Sequence, residues 1–203
     1  LASDGAFLIH EGYKLLGTPK AKLNIGYVTT ASKGVGSREY VERHKAAMTA
    51  AGYRFAEIDI EGKTKAKLYA FFRNKNVIHA EGGNTFYLLK AIRESGFDHI
   101  IKKLVAGGVA YGGTSAGAYI ACPTIETSTW GPKIKDRYGL ENLAALNLVP
   151  FLLKAHYTDD LKKMLTVKIK QCKYPVRILR DGQGILVNDD TYTFVGEGKE
   201  VKL

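Results

Sequence analysis

The sequence predicts an α/β fold, with a mostly parallel central sheet, helices on both faces and hairpins at its C-terminal edge. Three observations carry this expectation. Short apolar runs alternate with helical patterns of about 10–15 residues through the first half of the chain. Two glycine-rich turns, 82–85 and 113–117, each follow an apolar run and lead into a helical one. The tail then changes character, with three short β-type runs parted by Asp181-Gly182 and Asn188-Asp189-Asp190. Alternation of strand and helix requires right-handed crossovers, which cover both faces of the sheet.

Each element has its own signal. Residues 22–30 (KLNIGYVTT) form an apolar run ending in turn residues, as a strand does. Ser37 opens a helix with Glu39 close behind, and Tyr40, His44, Met48 and Ala51 recur at helical spacing until Gly52 stops it. Residues 53–60 alternate as a strand. Residues 64–73 read as a helix whose apolar part is Leu68, Ala70, Phe71 and Phe72. A strand at 76–80 runs into Glu81-Gly82-Gly83-Asn84, and Thr85 begins a helix with Phe86, Leu88, Leu89 and Ile92 on one side and Gly96 at its end. A second helix covers 97–106, closed by Gly107-Gly108. Val109-Ala110-Tyr111 then form a strand leading into the second glycine turn, and the helix after that turn must stop before Pro123. The runs 176–180, 184–187 and 191–195 read as strands joined in hairpins. The absence of Met at Leu1 suggests that the beginning of a first strand is missing, with His10 following that strand. No repeat or long linker divides the 203 residues, so one domain over 1–203 is expected.

Composition narrows the function classes. The net charge of +10 could attract nucleic acid or acidic small molecules. The lysines, however, are scattered (Lys63, Lys65, Lys67, Lys102, Lys103, Lys162, Lys163, Lys168, Lys170), with no aromatic-interleaved module, so a solvated basic surface is expected rather than a nucleic-acid site. Cys122 and Cys172 do not make a disulfide framework and point to a reducing, cytoplasmic setting. No membrane-spanning run or signal-peptide pattern is visible, so no membrane partner is expected.

The chemistry concentrates at Gly113-Thr114-Ser115-Ala116-Gly117. A strand, G-x-S-x-G and a helix in that order are what a nucleophile elbow requires. The glycines let two backbone segments pass closely, the serine hydroxyl projects into a cleft, and the N–H groups at the helix start face any oxyanion formed there. The alternative is a Gly/Ser turn without chemistry. Of five histidines, His44 and His99 fall within helical patterns and His79 within a strand, where structural roles are the simplest reading. His10 is undecided. His156 ends an apolar run and alone lies C-terminal to Ser115, which makes it the candidate base. The turn at Gly82-Gly83-Asn84 lacks a Walker or dinucleotide pattern. In a parallel sheet it shares the carboxyl edge with the elbow, where its N–H groups could complete an oxyanion hole with Ala116, or could form a tight turn capped by Asn84 or Thr85.

Gly82 through Leu89, Gly113 through Ala118, Cys122-Pro123-Thr124-Ile125, and Leu146-Asn147-Leu148-Val149-Pro150 through His156-Tyr157-Thr158 together resemble the peptidase E family. Those are serine dipeptidases that remove N-terminal aspartate, related to cyanophycinase. The resemblance covers most of the chain in order. It implies a class I glutamine amidotransferase-like fold, Ser115 as nucleophile, His156 as base, and Gly83 and Ala116 as oxyanion donors, with Gly82 and Asn84 as candidate substrate contacts. It implies no metal and no cofactor, a short peptide substrate, and a possible homodimer. Serine in place of the amidotransferase cysteine argues against glutaminase activity.

Two departures stand out. The acid that peptidase E carries after Cys-Pro-Thr-Ile falls on Trp130, and the slightly later cyanophycinase acid falls near Lys133. Glu126, Asp136, Glu141, Asp159 and Asp160 are the available carboxylates. An extended segment 124–130 would put Glu126 on the same face as Trp130, so Glu126 is the expected partner of His156, with Asp136 second and a backbone carbonyl third. The arginine-containing stretch that recognises aspartate is shortened to Asp159 through Met164, and Lys162 or Lys163 lacks the planar fork that grips a carboxylate. The expected function is a serine exopeptidase or dipeptidase for short peptides. A cyanophycinase-like hydrolase and a catalytically silent ligand-binding module are the alternatives, and the segment 127–140 is a candidate flap.

Overall fold

A computed structural model describes residues 1–131 and 136–203. Its centre is a four-stranded, all-parallel sheet in the order β2-β1-β3-β4, built from β1 (Asn24–Val28), β2 (Arg54–Ile58), β3 (Val77–Ala80) and β4 (Ala110–Gly113). The helices that connect these strands are α2 (Glu39–Ala50), α3 (Lys65–Phe72), α4 (Thr85–Ser95) and α5 (Phe97–Ala106). The 85–95 and 97–106 helices fall where the sequence places them. Asn84 Oδ1 accepts the Phe86 and Tyr87 amides at the start of α4, and Gly96 takes the left-handed backbone at its end, with φ 68°.

Side chains alternate across the sheet. On one face Ile25, Tyr27 and Val77 pack with Val41 and Met48 of α2. On the other, Val28 and Ile78 pack with Leu68, Phe72, Leu88, Ile92 and Ile101. Phe72 is fully buried, so truncating it to Ala would cost about 3–5 kcal/mol. The register Val28↔Ala80 and Ala80↔Gly113 brings the turns after β1, β3 and β4 to one edge. That edge holds the site.

The start of the chain differs from expectation. Only Ala2 bridges, parallel to Thr114 and antiparallel to Gly184; α1 (Gly5–His10) follows at once. Asp4 is the reason, because its side chain accepts the Phe7 amide and caps that helix. His10 therefore ends a helix.

The tail also differs in part. After α6 (Ala116–Ala121) comes β5 (Leu152–Lys154), then α7 (Lys162–Lys170), then β6 (Val176–Ile178) paired parallel to β5. This β5-α7-β6 crossover takes the place of the expected hairpin between 176–180 and 184–187. Four of its helix's nine residues are lysine and Leu165 is its buried residue, so the apolar pattern is weak. The hairpin of β7 (Gln183–Asn188) and β8 (Thr191–Gly196) does form, with Asn188 opposite Thr191, but it and the β5-β6 pair are two-stranded sheets of their own rather than edge strands of the central sheet. Among the described residues, no helix is long and apolar enough to cross a membrane.

Candidate active site

β4 ends in the elbow. Ser115 has φ 48° and ψ −106°, a conformation sparsely allowed for a side-chain-bearing residue and held here by its surroundings. A Cβ on Gly117 would lie 2.0 Å from the Ala80 carbonyl oxygen, and one on Gly113 would lie 2.5 Å from the Gly117 oxygen. The two glycines of the motif are thus close-approach positions. The Thr114 amide donates to Ala80 O at 3.1 Å and the Ser115 amide to Ala2 O at 3.1 Å, which fixes the turn from both sides.

His156 follows β5 with φ 56°, so it too has left-handed backbone. Its amide donates to Ser3 Oγ at 2.8 Å, and the neighbouring Ala155 amide donates to Tyr119 Oη at 3.1 Å. The imidazole lies between two partners. Nε2 is 2.9 Å from Ser115 Oγ, and Nδ1 is 2.6 Å from Asp181 Oδ1. Asp181 sits in the turn between β6 and β7, where Ser3 Oγ donates to the same carboxylate oxygen at 2.8 Å. The next residue is held as well, the Gly182 amide donating to Asp4 Oδ2 at 2.6 Å. The His156 hydrogen bond outweighs desolvation and, with the Ser3 hydroxyl, lowers the Asp181 pKa. An ionised carboxylate accepts the Nδ1 proton, which leaves Nε2 bare to accept from Ser115.

Asp181 replaces Glu126 as the carboxylate on His156. Residues Glu126–Thr129 form a 3-10 turn rather than an extended strand, which removes the basis for placing Glu126 with the histidine. The Glu126 carboxylate instead accepts from Cys172 Sγ at 3.5 Å. Asp136 accepts the Tyr138 amide through its side chain and Asn84 Nδ2 through its carbonyl, so it too is elsewhere. Asp159 pairs with Arg180. Trp130 is core, packed with Tyr157, Leu165 and Ile178. Lys133 and part of the candidate flap lie outside the described residues. The weak apolar content of α7 hid the crossover that carries Asp181 back to the site. The signal was the Asp-Gly pair itself, read as a hairpin turn alone.

The cleft beside Ser115 has a volume of about 660 Å³, and Gly82, Gly83, Tyr40, Arg43, His44 and Asp4 lie in its wall. Gly82 and Gly83 thus stand where the sequence puts them. Asn84 does not: it is buried, caps α4 through Oδ1 and donates from Nδ2 to Asp136, so it is a structural residue. Ala116 opens α6, where the N–H groups of the first turn have no acceptor within their own helix.

Glu81 lies under the turn, almost fully buried. It accepts from Tyr27, from Thr114 Oγ1 at 2.9 Å and from its own neighbour's amide, Gly82 N, at 2.6 Å. His44 Nδ1 is 2.7 Å from the oxygen that Tyr27 also reaches, whereas Thr114 and Gly82 share the other. Burial alone would raise its pKa; the His44 hydrogen bond and the surrounding donors hold it down, to about 2. His79 is a core histidine, as expected, with Nδ1 2.5 Å from Tyr13 Oη, and burial lowers its pKa to about 4. His44 is half-buried, one of the two placements its helical pattern allowed, and it is turned onto Glu81. Among the described residues, no group of three or more His, Cys, Asp or Glu side chains could hold a metal ion.

Comparison with known proteins identifies the family. The model of peptidase family S51 matches residues 13–195. The uncharacterized peptidase Lmo0363 of Listeria monocytogenes is 34% identical over 145 residues, 71% of each chain. Peptidase E of Escherichia coli is 44% identical over 92 residues, 45% of this chain and 38% of that one. A crystal structure of a Listeria monocytogenes EGD-e protein described as a peptidase E superposes with a TM-score of 0.84 at 27% identity, covering 97% of this chain and 96% of the other. A match that spans most of the chain, on the expected amidotransferase-like architecture, settles the matter: the chain belongs to peptidase family S51, the serine peptidases of the peptidase E type.

Proposed function

We propose that Ser115, His156 and Asp181 are the catalytic triad of an exopeptidase that cleaves short peptides carrying an acidic residue, N-terminal Asp first among them. The single observation carrying this is the continuous path from Asp181 Oδ1 through the imidazole to Ser115 Oγ, at 2.6 and 2.9 Å. Ser115 Oγ attacks the scissile carbonyl carbon while its proton passes to His156 Nε2. The imidazolium, held by Asp181, then protonates the leaving amine as the C–N bond breaks. Water repeats the sequence on the acyl ester and frees Ser115. The N–H groups of Gly83 and Ala116 are the donors for the tetrahedral oxyanion.

Charge supports the acidic preference. Arg43 lies at the cleft and forms no ion pair among the described residues, whereas Asp181, Glu81 and Asp4 are each engaged by hydrogen-bond donors. A guanidinium without a partner, beside carboxylates that have theirs, favours an anionic substrate group. The free Cys122 and Cys172 suit a reducing compartment such as the cytoplasm. A panel of Asp-X, Glu-X, Ala-X and X-Asp dipeptides beside longer peptides tests the reading. Asp-X and Glu-X are expected to turn over fastest, and Arg43→Ala to lower kcat/KM for these more than for Ala-X. Fastest cleavage of long or uncharged peptides would overturn the preference.

A further inference from the structure

We propose that Tyr40 and Glu81 are positioning residues that set the plane of the Gly82–Gly83 peptide, and with it the direction of the Gly83 N–H as an oxyanion donor. The inference rests on the triad reading and deepens it. Neither residue was marked by the elbow motif, since one lies on α2 and the other at the end of β3.

The turn is pinned unit by unit. The Gly82 amide is taken by the Glu81 carboxylate at 2.6 Å, and the Asn84 amide by the Ala31 carbonyl at 2.9 Å. Between them lies one peptide unit joining two glycines, the residue type with the lowest steric barrier to reorientation. Its carbonyl is held by Tyr40, whose hydroxyl donates to Gly82 O at 2.9 Å. In a trans peptide the C=O and N–H point in opposite directions, so a carbonyl tied to Tyr40 dictates where the Gly83 N–H aims. The space is equally tight. A Cβ on Gly83 would lie 2.3 Å from Ala31 O, and one on Gly82 would lie 3.3 Å from Ser115 Cβ. The turn therefore passes directly over the nucleophile.

Glu81 links this turn to the elbow. The oxygen that takes the Gly82 amide also takes Thr114 Oγ1, one residue before Ser115. Its second oxygen is held by Tyr27 of β1 and His44 of α2. A single buried carboxylate thus references the oxyanion turn and the nucleophile to one point. His44 lies one helical turn after Tyr40, and their rings meet edge to face at 6.0 Å, so α2 supplies both contacts from one face.

The test compares Tyr40→Phe with wild type, using dipeptide turnover and the rate of Ser115 labelling by a small fluorophosphonate. Removing an oxyanion donor outright costs about 10²–10³ in kcat, and freeing its orientation should cost less, about tenfold. Tyr40→Phe is expected to lower kcat and the labelling rate by about that factor, with KM within twofold and the melting temperature unchanged. Glu81→Gln is expected to lower both rates further, and a folded Glu81→Gln at wild-type rates would count against the carboxylate's part. Wild-type kcat and labelling rate in Tyr40→Phe would overturn the proposal. If instead wild type itself never labels at Ser115, the triad reading fails and not this one alone.

Discussion

Replacing Asp181 by Asn removes one charge and little volume, so it isolates what the carboxylate contributes. In the proposed mechanism the imidazole takes the Ser115 proton and becomes a cation as it does so. The charge of Asp181 therefore acts mainly in the transition state. Two unit charges about 4 Å apart attract by about 1 kcal/mol in water and about 4 kcal/mol at an effective dielectric of about 20. The His156 and Asp181 side chains are 48% and 64% exposed, so solvent screens the pair and about 2–3 kcal/mol is the appropriate figure. That corresponds to roughly 10²-fold in kcat. A larger loss, about 10⁴-fold, arises where an amide presents N–H to the imidazole and forces the wrong tautomer. Ser3 works against that outcome. Its hydroxyl already accepts the His156 amide, so its proton goes to residue 181 and favours an acceptor there. Dipeptide turnover under saturating and limiting substrate is the assay. The expected result is kcat down about 10²-fold with KM little changed. Activity within threefold of wild type would refute the role of Asp181.

Two further outcomes follow from the same contacts. Gly117→Ala drives a Cβ against the Ala80 backbone oxygen at 2.0 Å, backbone that cannot easily yield, so a loss of at least about 2 kcal/mol is expected in urea unfolding; an unchanged midpoint would contradict the close packing of elbow on β3. Acid should destabilise the fold in two stages. The His79 pKa falls from 6.5 to about 4 on folding, so stability is lost as pH drops from about 6.5 toward 4, where the unfolded chain alone takes the proton. The Glu81 pKa falls from 4.5 to about 2, so its contribution is present above about 4.5 and lost below it. Each is worth about 3 kcal/mol at most, and a flat stability profile from pH 7 to 3 would contradict both.

Much of this was legible in the chain. The elbow announces itself because close backbone approach demands glycine on both sides of Ser115, and sterics of that kind leave a local pattern. The helices 85–95 and 97–106 carry strong periodicity and glycine stops, so their limits were readable too. Asp181 was not, for two physical reasons. Its proximity to His156 depends on a parallel crossover through α7, a helix with one buried residue and four charged ones among nine. The expected acid also lay in a segment whose conformation, a 3-10 turn at Glu126–Thr129, turned Glu126 toward Cys172. Ser3 and Asp4 were equally silent. Their roles arise from contacts with residues more than 150 positions away, His156, Asp181 and Gly182, and no local spacing encodes such pairs. Glu81 and His44 likewise meet only once α2 is packed on the sheet.

The account stands on Ser115 being an activated nucleophile. Intact-mass measurement of the wild-type protein with a fluorophosphonate, followed by peptide mapping, tests that directly. One adduct per chain on Ser115, lost in Ser115→Ala and strongly slowed in His156→Ala, is the result predicted. A folded wild-type protein that acquires no adduct, or acquires it at another residue, would contradict it.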